Sequence, residues 1–147
     1  MVKPLKILFT MVFSIVFISC NSNTNKQEFY GTYTFDKVSY LSPLSSSTTD
    51  YLNKQMTGTK YMITEDLFKI ESLNNIIEVR SPKFIKEELP QNSDSLLDAR
   101  TIDGIKVKSQ YSIFEKNGDK THWRLYISSD YIWVSSYVDN TANGQEI

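Results

Sequence analysis

Short segments with the composition of β-strands recur along this chain, and each is separated from the next by residues that favour turns. The turns are predicted at the pairs Glu65-Asp66, Asn74-Asn75, Asp103-Gly104, Asn117-Gly118 and Ser129-Asp130. Asn117-Gly118 is the strongest of these signals, because an Asn-Gly pair fits the two-residue turn that joins antiparallel strands. The chain is therefore expected to fold as an all-β protein.

Seven or eight strands are predicted by this spacing, at residues 29–40, 59–64, 68–73, 76–81, 83–89, 105–115, 120–128 and 131–138. Pro82 and Pro90 flank the segment 83–89 and confine it to the edge of a sheet, since proline cannot donate to the ladder. One short helix is predicted at 50–57, capped by Thr49 and ended by Gly58. The pattern favours an antiparallel barrel or a strongly curved sheet with one short helix.

The first 19 residues have the layout of a secretory signal peptide. Lys3 and Lys6 form a short basic start, residues 7–18 are almost wholly apolar, and Ser19 and Cys20 close the stretch. The apolar run has 12 residues, whereas a membrane-spanning helix needs roughly 20. The sequence therefore predicts export, with residues 1–19 removed from the mature protein.

The segment Phe17-Ile18-Ser19-Cys20 resembles the lipoprotein box of bacterial lipoproteins, which has a small residue before an obligatory cysteine. The resemblance implies cleavage before Cys20, a diacylglyceryl group on its sulfur and a fatty acid such as palmitate on the new amine. Several acyl chains hold a protein stably on a bilayer, so the membrane is the first expected partner. Residues 20–28 would tether the domain to the lipid, and Asn21 in place of Asp implies the outer membrane of a Gram-negative bacterium.

Charge and cysteine content exclude several classes of protein. Removal of Lys3 and Lys6 from the 16 basic residues leaves 14 against 17 acidic ones, a net charge of −3 for the mature chain. No basic block stands out, so nucleic acid is not expected as a partner. Cys20 is the only cysteine, so packing alone must stabilise the domain without a disulfide. The length suits one domain at residues 29–138, followed by a polar tail at 139–147.

The first predicted strand opens with Gly31-Thr32-Tyr33, which is similar to the Gly-x-Trp opening of lipocalin-like domains, with Tyr33 at the position of the tryptophan. The run from Leu52 to Ile70 (LNKQMTGTKYMITEDLFKI) resembles small lipocalin-like lipoproteins of Bacteroidota. This resemblance implies a lipocalin-like antiparallel barrel. It also implies that Arg124 packs across the aromatic ring of the first strand, that of Tyr33.

No arrangement of residues indicates catalysis, so we expect neither an enzyme nor a cofactor. His122 is the sole histidine, which excludes a His pair for a metal ion. Its place in a predicted strand, beside Trp123, favours a solvent-facing side chain. Glu87 and Glu88 are adjacent in a strand and point to opposite faces, so they do not form an acid–base pair. The sequence therefore predicts no catalytic or metal-binding residue.

Aromatic residues make up 13% of the chain, enough to line a binding site as well as a core. One hypothesis is a small apolar ligand held in the barrel between Tyr33, Phe35, Trp123 and Trp133, with the helix 50–57 near the mouth of the pocket. The alternative is a filled barrel whose aromatic or acidic residues form an exposed patch for a protein partner. Such a protein would be an inhibitor, an immunity protein or an accessory subunit of an envelope complex.

Overall fold

The computed structural model describes residues 27–43, 45–90 and 100–136, together with two short strands at 139–140 and 145–146. Cys20, the predicted signal peptide and most of the predicted tether lie outside the described residues. The described part of the chain has one α-helix, α1 (Thr49–Met56). The strands, in chain order, are β1 (Gly31–Thr34), β2 (Lys60–Ile63), β3 (Leu67–Glu71), β4 (Ile76–Arg80), β5 (Lys83–Glu87), β6 (Thr101–Ile102), β7 (Ile105–Lys106), β8 (Ser109–Phe114), β9 (Lys120–Ile127), β10 (Ile132–Ser136), β11 (Asp139–Asn140) and β12 (Gln145–Glu146).

The strands form two four-stranded sheets, with the orders β1-β2-β3-β4 and β10-β9-β8-β5. Two small hairpins pair β6 with β7 and β11 with β12, and every pairing is antiparallel. The prediction of a mostly β, antiparallel domain with one short helix is confirmed. No strand pairing joins the two four-stranded sheets in the part of the chain that the structure describes, so no closed barrel is found there.

The break between the sheets lies at the link between β4 and β5, which is only two residues long. Ser81 has a left-handed φ of 49°, and the buried Pro82 has no backbone N–H to donate. The Ser81 N–H donates to the carbonyl of Asp66, at 2.8 Å, in the turn before β3. The chain therefore leaves the first sheet at Ser81. β5 then pairs with β8 at the edge of the second sheet, the edge position that its flanking prolines predicted.

The two sheets share one hydrophobic core. Side chains alternate along each strand between this core and the opposite face of the sheet. In β9, Leu125 and Ile127 are buried in the core and Arg124, between Trp123 and Leu125, belongs to the other face. The buried members of the core are Phe29, Ile63, Phe68, Ile70, Val79, Ile113, Leu125 and Ile127.

Phe29 joins the two sheets, although it precedes β1. Its side chain is 2% exposed, and its ring centroid lies 4.7 Å from that of Tyr111 and 5.2 Å from that of Phe84, both in the second sheet. The N–H of Tyr30 donates to the carbonyl of Gln27 at 3.0 Å. A turn, rather than the predicted start of the first strand, therefore places Phe29 between the sheets.

The first strand also ends earlier than the predicted residue 40, because the chain after it is bound to the helix. The N–H of Phe35 donates to the carbonyl of Thr59 at 2.8 Å, which continues the pairing with β2 by one residue. The N–H of Val38 donates instead to the Asn53 side chain in α1, at 2.7 Å. Because of this hydrogen bond, the chain after β1 contacts the helix instead of continuing as a strand.

Two elements that local chemistry predicted are present, although the helix and its cap are shifted by one residue. The helix begins one residue before its predicted start and is capped by Thr48 in place of Thr49, with the Thr48 hydroxyl accepting the Tyr51 N–H at 3.3 Å. Asn117-Gly118 lies in the turn between β8 and β9, and Gly118 has a φ of 97°. Both elements depend on local chemistry, which the sequence displays directly.

A second, smaller cluster lies on the other face of the second sheet. It divides the predicted strand 105–115 into β7 and β8, because the Val107 side chain between them is buried in this cluster. Asp103 and Gly104, with φ values of 51° and 75°, form the predicted turn, which joins β6 to β7. The cluster consists of Ile102, Val107 and Tyr126, with Leu89 and Trp133 packed against it.

We predict that Phe29→Ala lowers the free energy of unfolding by about 3–5 kcal/mol, because it removes the ring that links the sheets and leaves a cavity. Phe35→Ala is the matched control, since Phe35 is half-buried and belongs to neither cluster, and we expect it to cost less than about 1.5 kcal/mol. Urea denaturation followed by tryptophan fluorescence measures both. Equal losses from the two variants would contradict the role given to Phe29.

Candidate functional site

The four residues predicted to hold a ligand are distributed over different parts of the molecule. Tyr33 and Trp123 pack against the main core, and Trp133 packs against the second cluster. Phe35 is half-buried and belongs to neither cluster. Tyr33 and Trp123 therefore lie at the same core, whereas Phe35 and Trp133 do not. The predicted lipid attachment residue, Cys20, lies outside the described residues.

The position of the Tyr33 side chain explains why a glycine stands two residues before it. Its hydroxyl donates to the carbonyl of Phe29 at 2.9 Å, and burial raises the pKa of this hydroxyl. A Cβ atom on Gly31 would lie only 3.0 Å from the Tyr33 hydroxyl oxygen. The Gly31-Thr32-Tyr33 motif therefore lets the tyrosine ring fold back along β1 and hold the turn that places Phe29.

Arg124 is placed differently from the position that the lipocalin-like resemblance implied. Its guanidinium lies on the face of β9 opposite to Leu125, with Nε 3.6 Å from the Glu87 carboxylate, so the expectation that it packs across Tyr33 is wrong. The same carboxylate accepts hydrogen bonds from the Gln110 amide, at 2.9 Å, and from the Lys120 ammonium, at 3.2 Å. Strand alternation puts residue 124 on this face, and Glu87 on β5 offers it an opposite charge.

This group of charged residues keeps Glu87 ionised. Burial on its own would raise the pKa of Glu87. The hydrogen bond from Lys120, with the positive charges of Lys120 and Arg124, outweighs burial and lowers the pKa below its ordinary value. Because the folded state holds the carboxylate more strongly ionised than the unfolded state does, this contribution to stability is present above about pH 4.3 and is lost as the pH falls through the lower, folded-state pKa.

We predict that Glu87→Gln lowers the free energy of unfolding by about 1–3 kcal/mol at pH 7, since two cations lose their carboxylate partner. The difference in the free energy of unfolding between the variant and the unmodified protein should become smaller at about pH 3, where Glu87 is increasingly protonated. Denaturation measured at both pH values tests this expectation. Glu88→Gln, the exposed neighbour, is the control and should change stability by less than about 0.5 kcal/mol at either pH. A loss for Glu87→Gln that does not depend on pH would contradict the electrostatic origin.

An exposed aromatic surface lies near the turn between β9 and β10. We use this name for Tyr131 and Trp133. The rings of Tyr131 and Trp133 are stacked, with centroids 5.9 Å apart and planes inclined by 28°. Tyr131 is 48% exposed, whereas Trp133 is half-buried. The indole N–H of Trp133 donates to the Ser39 hydroxyl at 3.2 Å, so its polar edge is satisfied and its ring is held in place.

An ion pair fastens the segment before Tyr40 to the β6–β7 turn. The Lys37 ammonium lies 2.9 Å from the carboxylate of Asp103. Hydrogen bonds from Ser39 and Lys37 lower the pKa of Asp103, and the hydrogen bond to Asp103 raises the pKa of Lys37. Ser39 thus connects Asp103 to Trp133, and the aromatic surface is fixed to the hairpin that covers the second sheet. The Asp103-Gly104 turn was predicted, but no local signal in the sequence indicates its partner at residue 37.

Two adjoining cavities lie beside Phe29 and the end of β5, and none of the four predicted ligand-binding residues lines either of them. The first, of 330 Å³, is lined by Phe29, Tyr111 and Ile127 together with Gln27, Glu28, Lys86, Lys108 and Ser109. The second, of 490 Å³, shares Lys86, Lys108 and Ser109 with the first. Both cavities open on the surface, and the lining of the first is mainly polar, whereas that of the second is more apolar than polar.

His122 is exposed on β9, as predicted, with its ring 4.7 Å from that of Trp123. Within the described residues, no three histidine, cysteine or acidic side chains are grouped so that they could hold a metal ion. The same part of the chain contains no helix of the length and hydrophobicity needed to span a bilayer.

No protein-family model, curated protein or solved structure matches this chain. The sequence and the geometry of the described residues therefore carry the evidence on its function. The aromatic surface is the candidate functional site that this geometry favours, because it combines exposed rings with a fixed support.

Proposed function

We propose that this protein is a lipid-anchored lipoprotein of the bacterial cell envelope, and that its β domain binds another envelope protein without catalysis. The observation that carries the proposal is the exposed aromatic surface at Tyr131 and Trp133. The partner would be a target, a cognate toxin or an envelope complex, and the protein its inhibitor, immunity protein or accessory subunit.

The contents of the core favour a protein partner over an enclosed ligand. Phe29, Tyr33 and Trp123 pack together with aliphatic side chains of both sheets, so the space between the sheets is filled by the chain itself. Tyrosine and tryptophan on the surface contribute disproportionately to protein interfaces, because they bury a large area with few rotatable bonds. The Ser39 hydrogen bond to Trp133 reduces the cost of ordering that ring on binding.

We further propose that the domain is an open relative of the lipocalin-like barrel. The strand order supports this proposal, because β1 to β5 and then β8 to β10 follow one another in sequence, as in an up-and-down barrel. The proposal places the opening between β4 and β5 and between β1 and β10. The β6–β7 hairpin is then an insertion between two successive strands of the meander.

The lipid anchor is tested by Cys20→Ala. We predict that the unmodified protein fractionates with the outer membrane and that the variant is found in the soluble fraction, because it lacks the sulfur that would carry the acyl chains. Cell fractionation followed by immunoblotting measures this distribution. Ser22→Ala serves as the control and should leave the protein on the membrane. A variant that still sediments with membranes would refute the anchor.

The protein partner is tested by a photo-reactive benzoylphenylalanine in place of Tyr131, in living cells of the organism that makes the protein. We predict one reproducible adduct of higher mass, whose second component mass spectrometry identifies. Tyr51 is the matched control, since it is 56% exposed on the side of α1 roughly opposite to Asn53, which faces the Val38 backbone. An adduct at both positions, or at neither, would contradict a partner bound at the aromatic surface.

Binding of a small molecule is the second candidate function, supported by the 330 Å³ cavity beside Phe29, Tyr111 and Ile127, whose remaining lining residues are polar or charged. Native mass spectrometry of the gently purified protein separates the two proposals. A mass excess that disappears on denaturation would support a bound small molecule in this cavity. A bare mass together with a Tyr131 adduct supports the protein partner.

A further inference from the structure

β10 has an open edge. It pairs with β9 along one side, from Ile132 opposite Ile127 to Ser136 opposite Trp123. No strand in the described part of the chain pairs with its other side, since β10 stands at the end of the second sheet. The backbone groups along that side are therefore available to an additional strand.

The register identifies which backbone groups point outward. The Ser128 N–H donates to the carbonyl of Tyr131, so these two residues form a hydrogen-bonded pair at the β9–β10 turn. Hydrogen-bonded and non-hydrogen-bonded pairs alternate along an antiparallel ladder. Trp133 and Ser135 therefore direct their N–H and C=O groups to β9, whereas Ile132, Val134 and Ser136 direct theirs to the open edge.

The other edge strands carry features that discourage pairing, and β10 does not. β5 has Lys83, Lys86 and Glu87 and is bounded by Pro82 and Pro90. β4 has the charged residues Glu78 and Arg80, and β1 has only four residues and begins with glycine. β10, with the sequence IWVSS, has neither a charge nor a proline. An uncharged edge with apolar side chains is the kind of edge that accepts another strand.

We propose that this edge binds β10 of a second copy of the chain, antiparallel and around a two-fold axis at Val134. The proposal depends neither on the lipid anchor nor on the envelope partner. In this register the outward groups of Ile132 meet those of Ser136 of the partner subunit, and Val134 meets its equivalent. The pairing forms about six hydrogen bonds and joins the two second sheets into one continuous sheet.

The side chains of β10 fit this register without modification. On the outer face, the bulky Trp133 lies opposite the small Ser135 of the partner subunit, which leaves room for the indole ring. On the core face, Val134 meets its own equivalent, so the apolar cores adjoin at the axis. No like charges meet, because β10 contains no charged residue. A strand pairing with itself therefore satisfies both the backbone and the side chains, which favours a second copy over an unrelated strand.

The test compares Val134→Pro with Val134→Ala in the full chain, purified from whichever cell fraction contains it. Both changes remove core methyl groups, but only proline removes the outward N–H and blocks the added strand. We expect the unmodified protein to be a dimer by light scattering and sedimentation. Val134→Pro should raise the dimer dissociation constant by about a hundredfold, and Val134→Ala by less than about threefold. If Val134→Pro fails to fold, Ser136→Pro at an exposed outward position takes its place.

Amide hydrogen exchange tests the register directly. The amides of Ile132, Val134 and Ser136 should exchange slowly where the protein is dimeric and quickly after dilution to the monomer. Those of Trp133 and Ser135 should be protected in both states, because they bond to β9. A monomer at all concentrations, a dimer equally stable in both Val134 variants, or outward amides unprotected in the dimer would overturn the proposal. Open-ended assemblies would overturn it too, since they require β10 to pair with a different strand.

Discussion

The contact of Phe29 with both sheets is the interaction on which the rest of this structure depends. In the described part of the chain no strand pairing joins the two sheets, so side-chain packing holds them together, and no disulfide can assist because the chain has one cysteine. A buried phenylalanine contributes about 1.5–3 kcal/mol by its removal from water. The Tyr33 hydroxyl holds the Phe29 carbonyl, so β1 sets the position of the ring that joins the sheets.

The second sheet is covered on both of its faces, and this explains the distribution of its aromatic residues. One face packs against the first sheet, with Trp123 at the core. The other face has Tyr126 and Trp133 under the β6–β7 hairpin. The segment from Ile132 to Val134 is apolar on both faces, so each face must pack against another part of the protein. The main core covers one face and the β6–β7 hairpin covers the other, so only the outer part of Trp133 and its neighbour Tyr131 remain exposed for a partner.

Features that arise from neighbouring residues could be predicted from the sequence, whereas features that arise from distant contacts could not. The approximate position of α1, the Asp103-Gly104 and Asn117-Gly118 turns and the edge position of β5 all follow from local chemistry, although the cap of α1 is Thr48 and not the predicted Thr49. Phe29 fits the alternation of a strand equally well, but its burial depends on Tyr111 and Phe84, far along the chain. The alternation of residues also shows that Arg124 and Leu125 occupy opposite faces, without showing which element covers each face.

Both proposals about binding place the interaction on β10, and there is a physical reason for this. In a closed barrel the last strand pairs with the first, and no edge remains. In this protein Phe29, which precedes β1, fills part of the core, and β1 does not pair with β10 in the described residues. Among the described residues β10, the last strand of the two large sheets, consequently keeps an unpaired edge, and its outer face supports the aromatic surface. Backbone groups and aromatic rings lie side by side on one strand, so a partner at the rings and a second copy at the edge would each influence the binding of the other.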